Sequence, residues 1–95
     1  MKVVWTTQAK QDLKAIYDYI AYDSEYYASE VIDAILKTEH RIDEYPTSGG
    51  IVRERMRKDI RQVKRYSYRI IYKILPTRID VLTVVHESRN LALED

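Results

Sequence analysis

Glu54, Arg69 and His86 are the residues whose types would suit phosphodiester chemistry. A carboxylate can take the proton from a ribose 2′-hydroxyl. A guanidinium can clamp the phosphate under attack, and an imidazole can return a proton to the leaving oxygen. Arg61 would add a second phosphate clamp. The alternative for His86 is structural, since a lone histidine ending a strand is ordinarily a satisfied edge residue. His40 falls within a helical stretch without such companions and reads as surface, and Ser24 and Ser88 have no triad context. The chain has no cysteine, which excludes a disulfide scaffold, thiol catalysis and cysteine-based zinc sites. Two histidines are too few for a metal site without carboxylate help. Neither a metal nor a cofactor is expected.

The near-neutral total charge of +1 hides a strong asymmetry. Residues 1–52 carry five Lys/Arg against nine Asp/Glu, whereas residues 53–73 carry nine against two. Such a concentrated field attracts acidic partners even from a nearly neutral protein. Arg53, Arg55 and Arg57 alternate, so an extended chain would place them on one side. Arg61, Arg65 and Arg69 come next, and Arg89 lies near the C-terminal end. Antiparallel pairing would bring Arg61 or Arg65 beside Arg69. Guanidinium forks there would suit phosphates, or the carboxylates of a partner protein. Tyr66, Tyr68 and Tyr72 interleave with these cations, in a spacing that serves base stacking or, more commonly, cross-strand packing. The plain alternative for the whole run is a solvated charged face.

The elements that must position these groups are set by periodicity. KVVW at 2–5 reads as a strand. Thr6 or Thr7 then caps a helix whose Ala9, Leu13, Ile16 and Ile20 share one face, ending near Tyr22. Asp23 or Ser24 caps a second helix carrying Ala28, Val31, Ile32, Ile35, Ile42 and Tyr45, with Glu39 as the break in its apolar stripe. Pro46 stops that helix, and TSGG is a turn. The period then changes to two. Residues 59–65 form a strand. Residues 68–75 alternate, with Tyr68, Ile70, Tyr72 and Ile74 opposite Arg69, Ile71, Lys73 and Leu75. After a Pro76-Thr77 turn, residues 78–86 alternate again, with Ile79, Val81, Thr83 and Val85 opposite Asp80, Leu82, Val84 and His86. Residues 87–95 read as a short helix or a tail. The result is one α+β domain over 1–95, in the order β-α-α-β-β-β, with a helical hairpin packed on one face of an antiparallel sheet. No run of 18 apolar residues exists and the first ten residues lack an apolar core, so a cytoplasmic protein without membrane contact is expected. Tyr19, Tyr22, Tyr26 and Tyr27 gather at the helix corner in greater number than a small core needs, which suggests exposure toward a partner.

The run W-T-x-x-A-x-x-D-L-x-x-I-x-x-Y-I from Trp5 to Ile20 resembles the RelE/ParE family of toxins from bacterial type II toxin–antitoxin modules. So do Tyr45-Pro46 with Gly49, then Arg61, Tyr68-Arg69-Ile70-Ile71-Tyr72, the segment 81–86 and Arg89. The likeness covers nearly the whole chain. It implies a small cytosolic toxin neutralised by a cognate antitoxin, whose complex represses its own promoter with the antitoxin contacting operator DNA. Two activities occur in the family: ribosome-dependent mRNA cleavage in the RelE-like branch and inhibition of DNA gyrase in the ParE-like branch. The long helical hairpin, the Tyr45-Pro46 corner and the His ending the last strand favour the ParE-like branch. The acidic tail ESRNLALED departs from the nuclease branch, although Glu54, Arg69 and His86 resemble the acid–base set of one nuclease subgroup. A third possibility is a member that binds the antitoxin but has lost toxicity.

Overall fold

The structure, a computed structural model, describes residues 1–91; the last four residues of the expected tail lie outside that range. Strand β1 (Lys2–Trp5) leads into helices α1 (Thr7–Ala21) and α2 (Glu25–Glu44), then a single 3-10 turn at Pro46–Ser48. Strands β2 (Gly50–Ile51), β3 (Ile60–Arg65), β4 (Tyr68–Ile74) and β5 (Arg78–His86) complete one sheet in the order β1-β5-β4-β3-β2. It is antiparallel throughout except where β1 runs parallel to β5. This is the α+β arrangement expected from the sequence, with β2 as a two-residue addition that no periodicity could signal.

The helix boundaries are explained by their caps. Thr6 in extended geometry accepts from the Ala9 N–H, and Ser24 does the same for Tyr27. The Thr6 hydroxyl also donates to the Val81 and Leu82 carbonyls, which ties the start of α1 to β5. Pro46 lacks an N–H to continue α2, and its carbonyl accepts from the Tyr72 hydroxyl at 2.6 Å. Gly49 packs directly against that phenol, so the corner requires a residue without a side chain.

Ala9 of α1 and Val31, Ile35 and Ile42 of α2 bury against Val63, Ile70, Tyr72, Ile79, Val81 and Val84 of the sheet. Each large aliphatic buried in this way contributes about 1.5–3 kcal/mol relative to exposure. Glu39 breaks the apolar stripe of α2 for a reason: its carboxylate accepts the Trp5 indole N–H at 2.6 Å. A second, smaller core of Val52, Ile60, Ile71, Val85 and Leu91 occupies the other sheet face. Strand β4 is therefore buried on both sides, which is why Ile70 and Ile71 are adjacent and both apolar.

Strand β5 departs from the expected alternation. Ile71 pairs with Thr83 but Tyr72 pairs with Val81, which leaves Leu82 as a bulge. The extra residue reverses the facing of the residues after it. Ile79, Val81 and Val84 consequently share the helix-facing core, whereas Val85 joins the second core. Asp12 of α1 closes the disturbed edge, taking hydrogen bonds from the Thr83 hydroxyl and from the Val84 N–H at 3.0 Å.

Candidate functional site

The segment between β2 and β3 starts at buried Val52, whose carbonyl accepts from the N–H groups of Arg55 and Met56. This turn, with Met56 at φ 51°, aims Glu54 at the face of β4 away from the helices. Arg69 meets it there. The pair is bidentate: Nη1 and Nη2 each lie 3.0 Å from one Glu54 oxygen. Arg69 Nε donates to Gln62 Oε1 at 2.8 Å, and Nη1 also donates to the Arg89 carbonyl at 3.0 Å. Glu54 accepts in addition from the Leu91 N–H at 3.0 Å. The side chains are only 7% and 13% exposed, so this is a nearly dry ion pair. Hydrogen bonding from Arg69, reinforced by the Leu91 N–H, outweighs burial and holds the Glu54 carboxyl at a pKa of about 2.

Four guanidinium N–H bonds are thereby committed within the chain, which leaves little of Arg69 to offer a phosphate. The network also fastens the segment 87–91 across the sheet, so that Leu91 can enter the second core. Above the pair lies an open depression of about 460 Å³ lined by Arg53, Lys64, Ser88 and Arg89.

His86 points the other way. It pairs with Tyr68 on the helix-facing side, their rings edge to face at 5.8 Å, whereas Arg69 pairs with Val85. Its Nδ1 accepts from the Ser88 N–H at 3.2 Å and lies 2.8 Å from the Ser88 hydroxyl. The structure thus brings Glu54 and Arg69 together and sets His86 on the opposite face.

The remaining arginines also separate. Arg61 pairs with Tyr72 and Arg65 with Tyr68, so both share the helix-facing side, and it is Lys64 that pairs with Arg69. Arg61 donates to the carbonyls of Lys58, Thr47 and Gly49, which pins the corner after α2. Arg57 forms a bidentate pair with Asp59. The Arg65 guanidinium lies over the Tyr66 ring, 5.3 Å from its centroid. Arg55 lines a smaller depression with Asp12, Thr83 and Arg89. Lys64 and Gln62 are site residues that the sequence reading missed. Recognising residues 66 and 67 as a two-residue hairpin loop would have placed Lys64 opposite Arg69. Among the described residues, no three of His, Asp and Glu converge as a metal site. No helix among them is long and apolar enough to cross a membrane.

A helical hairpin on a mainly antiparallel sheet, with a basic face locked by a buried ion pair, defines a small α+β protein built to present surfaces rather than an enclosed pocket. Residues 3–91 match the family model described as the ParE toxin of the type II toxin–antitoxin system, parDE. The chain belongs to that family. Its fold is similar to a chain of the chromosomal ParDE toxin–antitoxin system from P. aeruginosa, with a TM-score of 0.73 and 21% identity, covering 90% of this chain and 95% of that one. It is also similar to a chain of the toxin–antitoxin complex RelBE2 from Mycobacterium tuberculosis, with a TM-score of 0.63, 22% identity and the same two coverages. None of the curated proteins matches it in sequence.

Proposed function

We propose that this chain is a toxin that arrests growth by binding DNA gyrase as a protein inhibitor, and that a cognate antitoxin neutralises it. The observation that carries the reading is the division of the acid–base set between two faces. Glu54 and Arg69 satisfy each other in a buried pair, and His86 sits across the sheet beside Tyr68. A general base, a phosphate clamp and a general acid must converge on one phosphodiester to cleave it. Glu54, at a pKa of about 2 and bonded to Arg69, is a weak base. Membership in the ParE toxin family supports the same branch.

The antitoxin covers the basic sheet face. Arg53, Lys64 and Arg89 line the depression over the buried pair, and acidic side chains of the partner answer them there. Operator DNA is reached through the antitoxin, because the toxin is nearly neutral and divides its basic residues between two faces.

Induction in cells without the antitoxin tests the target. A DNA-damage response with translation continuing at first is the expected outcome. Immediate translation arrest would instead point to ribosome-dependent mRNA cleavage.

A further inference from the structure

Tyrosines converge at one end of the molecule, where Tyr68 packs on the edge of the core and the others lie outside it. Tyr27, in the first turn of α2, meets Tyr66, in the β3–β4 turn, edge to face at 6.1 Å. Tyr68 meets His86 in the same manner. Tyr19 and Tyr27 approach Tyr68 closely enough that, after burial, they add to the upward push on its hydroxyl pKa. Tyr19 is 80% exposed, and Tyr27 and Tyr66 are each 47% exposed. Tyr66 adopts φ 54°, a left-handed conformation that residues other than glycine seldom take. The turn therefore holds this ring outward at a conformational cost.

The ridge borders a depression of about 300 Å³ lined by Glu30, Asp33, Lys37, Arg65 and Tyr66. Arg65 there lies over the Tyr66 ring and not on either carboxylate. Among the described residues, neither Glu30 nor Asp33 is held in an ion pair. The surrounding chain is acidic: residues 15–36 carry five Asp/Glu and no Lys or Arg.

We propose that this tyrosine ridge, with Glu30 and Asp33 beside it, docks an arginine-bearing segment of a partner protein. A guanidinium uses two faces of its chemistry at once. Its plane stacks on an aromatic ring and its N–H edge donates to carboxylates. Arg65 demonstrates the first contact within the chain, and Glu30 and Asp33 supply the second. Glu30 and Asp33 beside the ridge disfavour a nucleic-acid phosphate there, which argues against base stacking on these rings. The ridge lies on the helix-facing side, across the sheet from the Glu54–Arg69 depression, so it operates whether or not gyrase is the target.

The test uses the full chain and two short fluorescent peptides of equal charge, one arginine-rich and one lysine-rich, monitored by anisotropy. Saturable, salt-sensitive binding of the arginine peptide is expected, with the lysine peptide about fivefold weaker. The Tyr27→Leu/Tyr66→Leu double variant and the Glu30→Gln/Asp33→Asn double variant should each weaken arginine-peptide binding by about fivefold or more. Circular dichroism and melting verify that each variant is folded. Should the aromatic variant misfold, the carboxylate variant decides alone. Equal affinity for both peptides, absence of saturable binding at millimolar peptide, or unchanged affinity in the folded variants would overturn the proposal. So would tighter binding of a single-stranded oligonucleotide that the same variants weaken.

Discussion

Replacing Glu54 with alanine would strand the Arg69 guanidinium, which is 7% exposed, without its counter-ion. The magnitude comes from the carboxyl itself. Its pKa falls from an ordinary 4.5 to about 2, a differential interaction of about 3 kcal/mol in favour of the folded ionised state. That agrees with the loss of about 3–5 kcal/mol expected when one partner of a buried pair is removed. For a domain of this size the melting temperature should fall by about 15 °C at pH 7. The sign with pH is fixed by the depressed pKa. The stabilisation is fully present above the unfolded-state value of 4.5 and is lost as the pH drops through the folded-state value near 2. Thermal unfolding monitored by circular dichroism should therefore show wild type and Glu54→Ala far apart at pH 7 and converging near pH 2. Glu54→Gln should behave similarly but lose less, because its amide oxygen still accepts one bond. A Glu54→Ala melting temperature within about 2 °C of wild type at pH 7 would refute the idea that this pair anchors the basic face.

Gly49→Ala should destabilise the fold by about 2 kcal/mol, because its methyl group would collide with the Tyr72 hydroxyl and come 2.9 Å from the Gln62 carbonyl; urea unfolding measures the loss. His86→Ala should leave growth inhibition intact, as judged by colony counts on induction, because the ring sits across the sheet from Glu54 and Arg69. Loss of inhibition in a folded variant would restore the nuclease reading. If the antitoxin docks on the depression lined by Arg53, Lys64 and Arg89, its affinity should decline steadily with ionic strength; a flat response in calorimetry would contradict an electrostatic interface.

Local signals made most of the fold legible. Thr6, Ser24, Pro46 and the helical stripes marked both helices, because caps and periodicity act over a few residues. The site was less legible because its geometry depends on long-range pairing. One bulged residue, Leu82, reversed the facing of Thr83 through His86, and nothing in VLTVV distinguishes the bulged register from a regular one. The two-residue loop Tyr66-Ser67 lacks the Gly or Asn that usually announces a tight hairpin, so the opposition of Lys64 and Arg69 stayed hidden. Residue types group Glu54 and Arg69 with His86 as a catalytic set, not with each other as an ion pair. Their burial, and the tether to Arg89 and Leu91, came only with the second core.

If the proposed function holds, the folded toxin inhibits gyrase and does not cleave RNA. Purified protein, added to gyrase with relaxed plasmid and separately to translating ribosomes with mRNA, tests it in one comparison. Supercoiling should be lost in the first reaction and restored by the antitoxin, and the mRNA should stay intact in the second. Undiminished supercoiling at large excess of toxin, with mRNA cut on the ribosome, would contradict it.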